Sequence, residues 1–265
     1  MSERVDWHRL PLALRVAVER ETGAVTAAVV VVEGLNCSLA LAVHTERYGR
    51  LFLKGVREDD TDGVAALRCE VALNRTVAGV GPVIRHSVRA AGWFCLAFVH
   101  IDGRHAELGP GTGDLARVAA VLGRMALLRP PPGVPVPRLV ERFAAHLLDG
   151  EAERLSGGTL LHTDTNPHNI MVGHAGGESY VIDWAMPAVG PAWVDPAYTA
   201  VRLLECDQPA EVALAWLAGF PSWRAADRAA VETFVDVTCR HWTATVGERG
   251  AEPSNARFRV LLGRV

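Results

Sequence analysis

The hydrophobic pattern in the front part of the chain is typical of β-strands. Runs of β-branched or alternating apolar residues, separated by glycines, predict five strands: Val25–Val32, Leu39–His44, Arg50–Val56, Pro82–Val88 and Trp93–Ile101. The first run is apolar except for Thr26 and is expected to be a buried strand. Val64–Val77 instead places apolar residues at helical spacing. We therefore expect residues 1–101 to form a strand-rich lobe with one helix.

The pattern becomes helical in the back part of the chain. Asp114 is predicted as the N-cap of a helix at Leu115–Leu128, which ends before the proline run at 130–137. Four further helices are predicted at Arg138–Leu155 and at residues 196–206, 209–219 and 224–246. A strand-rich front and a helix-rich back predict an α+β fold with two lobes. The second lobe is expected to comprise residues 102–265.

Net charge and composition exclude several classes of protein. A formal net charge of -3 gives no basic surface for binding nucleic acid. The N-terminus lacks the architecture of a signal peptide, and no apolar stretch is long enough to span a bilayer. The five cysteines include no C-x-x-C pair, so reduced thiols are expected. We therefore expect a cytoplasmic protein with no nucleic-acid or membrane partner.

Residues 160–184 carry the strongest chemical signal. His162, Asp164 and Asn169 form an H-x-D-x-x-x-x-N pattern, and a second acid, Asp183, ends an apolar run. In phosphoryl-transfer sites one carboxylate accepts the proton of the attacking hydroxyl, while an amide oxygen and a second carboxylate hold Mg²⁺. The alternative is a strand-turn-strand in which these side chains only make turn hydrogen bonds. His162 is expected to support the loop rather than take part in the chemistry.

Lys54 is the only lysine of the chain and ends an apolar strand. A buried ammonium group is costly without a partner, and Glu70 on the following helix is the candidate partner. Held by Glu70, Lys54 would reach the α- and β-phosphates of a nucleotide. The alternative is a lysine at a strand end whose ammonium group reaches water.

Two further segments are candidates for nucleotide binding. In the loop between the first two strands, Gly34 would let the backbone approach phosphate, and Asn36 and Ser38 would donate hydrogen bonds. An ordinary hairpin turn is the alternative there. The segment that joins the lobes is expected to bind adenine through the carbonyl group of Val99 and the amide group of Ile101.

The order of these motifs resembles the aminoglycoside phosphotransferase family, the small-molecule branch of the protein-kinase-like fold, over roughly residues 25–205. The resemblance is carried by the glycine-containing loop, Lys54, Glu70, His-x-Asp164, Asn169, Ile-Asp183-Trp and Asp195-Pro. It implies a bilobal fold with an N-terminal antiparallel sheet, and ATP or GTP with Mg²⁺. By position, Asp164 matches the catalytic base and Lys54 the phosphate-binding lysine. Asn169 and Asp183 match the metal ligands.

Some residues depart from that family or stay open. Thr163 stands where the family usually has glycine, and its branched side chain needs room. Asp195 is either a helix N-cap or a brace for the catalytic loop. Trp184 and Trp193 either belong to the core or stack on an acceptor of low charge. The region after Asp183 offers only scattered acids, where a polycationic aminoglycoside would favour a cluster of carboxylates.

The main functional hypothesis is an ATP-dependent O-phosphotransferase that phosphorylates a hydroxyl of a small molecule. The expected acceptor is an antibiotic or a related natural product, in resistance or self-protection, and the enzyme is expected to be a monomer or homodimer. One alternative is a metabolite kinase acting on choline, homoserine, a sugar or a nucleoside. The other is a catalytically idle kinase-like binding module.

Overall fold

The computed structural model describes residues 4–32, 37–174 and 177–263, and these residues form two units. Among the described residues, the first unit holds 4–103 together with 173–174 and 180–185. The second unit holds 104–172, 177–179 and 186–263.

A five-stranded antiparallel sheet forms the body of the first unit. Its strands are β1 (Val25–Val30), β2 (Leu39–Thr45), β3 (Gly49–Arg57), β4 (Ile84–Ala90) and β5 (Trp93–Val99). They lie in the order β1-β2-β3-β5-β4, with Leu53 opposite both Leu41 and Ala97. The expectation that the first strand is buried is wrong. Ala28 and Val30 of β1 pack against the core on one face of the sheet, whereas Val29 points to the other face and is 65% exposed.

Two helices cover opposite faces of this sheet. Leu14 and Val18 of α1 (Leu12–Thr22) pack with Leu51, Leu53 and other residues on one face. Val64 and Leu67 of α2 (Thr61–Leu73) pack with Phe94, Leu96 and Phe98 on the other. The helix predicted at Val64–Val77 is therefore present. It begins earlier, because the Asp60 carboxylate caps it by accepting from the amide of Gly63.

Helix α1 was not predicted, so the described residues of the first unit form two α-helices rather than the one expected. Its apolar residues lie all around the helix instead of along one face. Leu14 and Val18 are buried, whereas Leu12 and Val16 are 67% and 55% exposed. This arrangement gives a weak amphipathic pattern, which sequence periodicity does not detect.

The second unit is mainly helical. Its helices are α3 (Leu115–Met125), α4 (Leu139–Arg142), α5 (Glu151–Arg154), α6 (Val194–Glu205), α7 (Ala210–Ala218), α8 (Pro221–Arg224), α9 (Arg228–Val246) and α10 (Glu248–Val260). The predicted α+β class, with an antiparallel sheet in front and helices behind, is confirmed. Within the described part of the chain, no helix is both long and apolar enough to cross a membrane.

The helices of this unit differ from the predictions in three respects. The single helix expected at Arg138–Leu155 is broken into α4, a 3-10 turn at Ala144–His146 and α5, because Gly150 adopts a left-handed conformation (φ 78°) before α5. Helix α10 was missed, since Pro253 inside it argues against a helix. Asp114 occupies the predicted N-cap position of α3, but its side chain makes no capping hydrogen bond to the helix. Its carboxylate instead accepts from the Arg104 guanidinium and from the amide of Glu107.

Five short strands place the predicted site residues. They are β6 (Gly103–His105), β7 (Thr159–Leu161), β8 (Ile170–Gly173), β9 (Ser179–Val181) and β10 (Ala188–Gly190). In the second unit β7 pairs with β10 in antiparallel register. The chain just before β7 lies close to the end of β10, so a Cβ on Gly157 would lie 2.2 Å from the carbonyl carbon of Gly190. His162 follows β7 directly, Asn169 directly precedes β8, and Asp183 follows β9 by two residues.

Candidate active site

The first group of site residues lies in the first unit, on the face of the sheet that α2 covers. Successive residues of a strand point to opposite faces, so Lys54 of β3 points away from the side where Leu51 and Leu53 pack. Glu70 lies on the buried side of α2, in a position typical of an apolar residue. The Nζ of Lys54 donates to Glu70 Oε1 and to Asp183 Oδ1, at 2.6 Å in both cases.

Burial sets the electrostatics of this group. The side chains of Lys54, Glu70 and Asp183 are 10%, 5% and 25% exposed. Burial alone would lower the pKa of the Lys54 ammonium, but the charges of Glu70 and Asp183 raise it above its usual range. Burial raises the pKa of the Glu70 carboxyl, and the charge of Lys54 opposes that rise. Lys54 is therefore a fixed positive charge, and with both carboxylates ionised the group carries one excess negative charge.

A second group lies in the second unit, around Asp164. One carboxylate oxygen of Asp164 accepts from Asn166 Nδ2 at 2.9 Å, and the other accepts from Asn169 Nδ2 at 3.0 Å. Asn169 Nδ2 also donates to the backbone carbonyl of Asp164 at 2.9 Å. The backbone amide of Asp164 donates to Nδ1 of His162 at 3.2 Å, which agrees with a supporting role for His162. Two side-chain amides thus fix the orientation of this carboxylate, and one imidazole holds the backbone that carries it.

Asn166 is a contributor that the sequence analysis missed. Its Nδ2 holds Asp164, and its Oδ1 accepts from the amide of His168 and so caps the 3-10 turn at Pro167–Asn169. The signal was present in the sequence, because an Asn-Pro pair is typical of a capped turn. The turn is what returns Asn169 to the side of Asp164.

Asp195 is a brace rather than a helix cap. Its two carboxylate oxygens accept from the backbone amides of His162 and Thr163, at 2.8 Å each. It lies inside the first turn of α6 and is only 3% exposed. Burial raises the pKa of the Asp195 carboxyl, while His162 and the two amides that it accepts from oppose the rise. The N-cap alternative is therefore wrong, and α6 is attached directly to the loop that carries Asp164.

Thr163 has an unusual backbone conformation for a β-branched residue. Its φ is 69°, in the left-handed region, where such a residue costs about 1–3 kcal/mol. Its side-chain hydroxyl is both acceptor and donor: Oγ1 accepts from the Arg142 guanidinium at 2.5 Å and donates to the carbonyl of Met186 at 2.8 Å. The branched side chain is thus accommodated in this loop by specific hydrogen bonds of its hydroxyl group.

The tryptophans left open by the sequence belong to the core. Trp184 is 3% exposed, and its Nε1 donates to the carbonyl of Val181 at 3.0 Å. Trp193 is 5% exposed and packs edge-on against Trp223 and Phe234. Neither ring face is available to stack on an acceptor.

The other residues predicted to contact the nucleotide lie in the loop before β2 and at the end of β5. Gly34 and Asn36 lie outside the described residues. Ser38 precedes β2, and its carbonyl accepts from the amide of Val5 at 3.1 Å. The amide of Val99 donates to Val83 at 2.8 Å at the end of β5, and Ile101 is half-buried. Roles for these residues in binding the nucleotide stay predictions.

The predicted metal ligands carry the oxygen atoms that Mg²⁺ prefers. Asp183 uses Oδ1 for Lys54 and has a second carboxylate oxygen. Asn169 uses Nδ2 for Asp164, whereas the atom expected to bind metal is its amide oxygen. The donor chemistry therefore fits Mg²⁺, and the binding of one ion by both residues stays a prediction.

The family model of the phosphotransferase enzyme family matches residues 134–229. That range contains Asp164, Asn169, Asp183 and Asp195, but not Lys54 or Glu70. No curated protein matches the chain.

Three solved structures show the likeness of the fold. An aminoglycoside phosphotransferase from Alicyclobacillus acidocaldarius subsp. acidocaldarius DSM 446 has a TM-score of 0.58 at 13% identity, over 96% of this chain and 93% of that one. An ethanolamine kinase from Plasmodium vivax has a TM-score of 0.58 at 12% identity, over 89% and 81%. The aminoglycoside phosphotransferase APH(3'')-Id from Streptomyces rimosus ATCC10970, in complex with ADP and streptomycin, has a TM-score of 0.54 at 15% identity, over 93% and 96%.

These likenesses confirm the predicted kinase-like fold, and the family match agrees with the chemistry of the residues around Asp164. The resemblance to the aminoglycoside phosphotransferase family that the sequence predicts is confirmed by this family match over residues 134–229.

Proposed function

We propose that the chain transfers the terminal phosphoryl group of ATP or GTP to a hydroxyl group of an antibiotic or related natural product. The observation that carries this proposal is the ammonium group of Lys54, fixed 2.6 Å from both Glu70 and Asp183. A lysine held in this way provides a permanent, oriented positive charge for the phosphates of a nucleotide. The complex of APH(3'')-Id with ADP supports a nucleoside triphosphate as the donor.

Positioning and charge account for most catalysis in this class of reaction. Lys54 would bind the α- and β-phosphates, and Glu70 would hold its side chain in place. Mg²⁺, bound by Asn169 and Asp183, would neutralise the charge that develops on the phosphates. Each of these roles requires a fixed side chain, and the hydrogen bonds in both groups restrain the side chains concerned.

Asp164 would act as the catalytic base. Asn166 and Asn169 each occupy one lone-pair direction of its carboxylate, one on each oxygen. The lone pairs that remain on both oxygens are able to accept the proton of an acceptor hydroxyl. Because Asp195 fixes the backbone just before Asp164, the base would meet the hydroxyl without a rearrangement of the loop.

The charges of the helical unit favour an acceptor less cationic than an aminoglycoside. Glu205 forms ion pairs with Arg202 and Arg257, Glu232 pairs with Arg228, and Asp227 caps α9 through the amide of Ala229. These three acids are engaged locally, so they are less available to a polycation. Neutral or weakly charged natural products with a free hydroxyl are therefore the favoured acceptors.

The decisive experiment combines an acceptor screen with a variant of the base. The purified chain is incubated with MgATP or MgGTP and one of streptomycin, kanamycin, a macrolide or ethanolamine, and a mass gain of one phosphate is sought. With the best acceptor, Asp164→Asn should lower kcat by about 100-fold or more while nucleotide affinity is retained. Asp183→Asn should instead weaken Mg²⁺-dependent nucleotide binding, measured by calorimetry.

The outcomes separate the candidate functions. Phosphate gain by ethanolamine alone would indicate a metabolite kinase. Nucleotide binding without ADP release for any acceptor would indicate an idle binding module. Full turnover by Asp164→Asn would refute the assignment of the base.

A further inference from the structure

We propose that Arg142 and Thr163 are positioning residues: Arg142 holds Thr163 in its left-handed conformation and thereby fixes the carboxylate of Asp164. The inference rests on the proposed function, because it takes Asp164 to be the base. Neither residue is among those that the sequence analysis assigned a catalytic or binding role.

The backbone of Thr163 needs an external restraint. A β-branched residue with positive φ is an outlier, whereas glycine adopts this region freely. The backbone amide of Thr163 is already held by Asp195 at 2.8 Å. This bond fixes the amide but leaves the side chain and the following peptide to other contacts. Because Asp164 is the next residue, any relaxation of Thr163 would move the base.

Arg142 supplies that restraint. One guanidinium nitrogen donates to Thr163 Oγ1 at 2.5 Å, and another donates to the carbonyl of Met186 at 2.9 Å. Thr163 Oγ1 donates to the same carbonyl at 2.8 Å, which closes a three-membered network. A guanidinium group suits this role because its donors have a fixed, planar geometry.

Arg142 forms no ion pair with the described residues of the chain. Arg138, the N-cap residue of the same helix, shows the contrast, since it pairs with Glu141 at 3.0 Å and its side chain is 72% exposed. Arg142 is half-buried, and both of its hydrogen bonds go to the loop network. Its position is therefore specific to the loop and is not that of an ordinary surface cation.

The network also links two functional segments along the chain. Thr163 directly precedes Asp164, and Met186 lies three residues after Asp183. Arg142 thus contacts both the segment that carries the predicted base and the segment that follows the predicted metal ligand. A shift of about 1 Å in a catalytic group costs about 100-fold in rate, so loss of this contact should be visible in kcat.

The test compares Arg142→Ala with Arg138→Ala, a matched control at the N-cap of the same helix. ADP release is measured with the acceptor that gains phosphate in the screen, and with water alone as a second readout. Arg142→Ala should lower kcat by about 10- to 100-fold with an unchanged KM for MgATP, whereas Arg138→Ala should retain wild-type values. Circular dichroism and Tm show whether each variant is folded.

Variants of Thr163 make the test specific. Thr163→Val keeps the strain and removes the hydroxyl, so it should lower kcat as Arg142→Ala does, and the two changes together should cost no more than one. Thr163→Gly removes the need for a restraint. In that background Arg142→Ala should change kcat by less than about threefold, which is a rescue that a merely structural role would not produce.

Two results would overturn the inference. One is a wild-type kcat for Arg142→Ala, and the other is a full, additive loss when Arg142→Ala is combined with Thr163→Gly. These results are distinct from a failure of the proposed function. If Asp164→Asn turns over normally, the base assignment fails; if Asp164→Asn is inactive and Arg142→Ala is normal, only the positioning role fails.

Discussion

Replacement of Lys54 by methionine should destabilise the first unit by about 3 kcal/mol. Methionine keeps the aliphatic packing of the side chain and removes only the charge. The change leaves Glu70, which is 5% exposed, and Asp183, which is 25% exposed, without the ammonium group that lies 2.6 Å from each. Removal of one partner of a buried ion pair typically costs about 3–5 kcal/mol.

An unpaired Glu70 can avoid its buried charge by taking up a proton. The free energy of that protonation is therefore the most that Glu70 can add to the loss of stability. A carboxyl group with an ordinary pKa of about 4.3 needs about 3.7 kcal/mol to be protonated at pH 7, so a buried, unpaired Glu70 costs no more than this. The Asp183 side chain is partly hydrated and adds less. Burial raises the pKa of Glu70 and the charge of Lys54 opposes that rise, so the loss of Lys54 should raise this pKa further. In the variant, the neutral form of Glu70 then contributes stability at low pH, and this contribution is lost as pH rises through the raised pKa. The deficit of Lys54→Met should therefore shrink between pH 7 and pH 5.

Urea denaturation followed by tryptophan fluorescence measures these free energies. Arg50→Met is the control, because Arg50 lies on the same strand but forms an exposed pair with Asp102, worth about 0–1 kcal/mol. The double variant Lys54→Met/Glu70→Met replaces the pair by apolar side chains and should recover at least half of the loss. A Lys54→Met variant as stable as the Arg50 control would refute the reasoning, and so would a double variant less stable than the single one.

Two more predictions concern the second unit. Asp195→Asn keeps one acceptor oxygen but places an N–H group against the second backbone amide. It should therefore lower the free energy of unfolding, measured by urea denaturation, by about 2–4 kcal/mol and should also lower kcat. A loss of stability below about 0.5 kcal/mol would contradict the role of Asp195 as a brace. The guanidinium of Arg104 holds the pKa of the Asp114 carboxyl below its usual range. The stability that the Asp114 carboxylate contributes is then present above its unfolded pKa of about 3.9 and is lost as pH falls through its lower pKa in the folded state. Asp114→Asn should therefore have a lower Tm than wild type at pH 7, and the gap should narrow below about pH 4; a constant gap would exclude the linkage.

Much of the candidate site could be predicted because its chemistry is local in sequence. Asp164 and Asn169 lie five residues apart, and one capped turn brings them together. The pairing of Lys54 with Glu70 was also accessible, because a lone lysine in an apolar strand requires a partner. That Lys54 also contacts Asp183 could not be predicted, since 129 residues separate them.

Other features depended on packing that sequence patterns do not encode. Helix α1 has apolar residues on all sides, so its buried side was not apparent. The tryptophans at 184 and 193 could be assigned to the core only from their surroundings. The contact of Arg142 with Thr163 likewise joins an ordinary surface-type residue to a loop distant in sequence.

Gly157 illustrates how an unremarkable position restricts the choice of residue. It is exposed and would be taken for a permissive surface site, yet the smallest side chain there would collide with the main chain at Gly190. Such a collision would force apart the segments whose pairing sets the start of the loop after β7. Solvent accessibility is therefore a misleading guide to tolerance at this position, and homologous designs should keep glycine there.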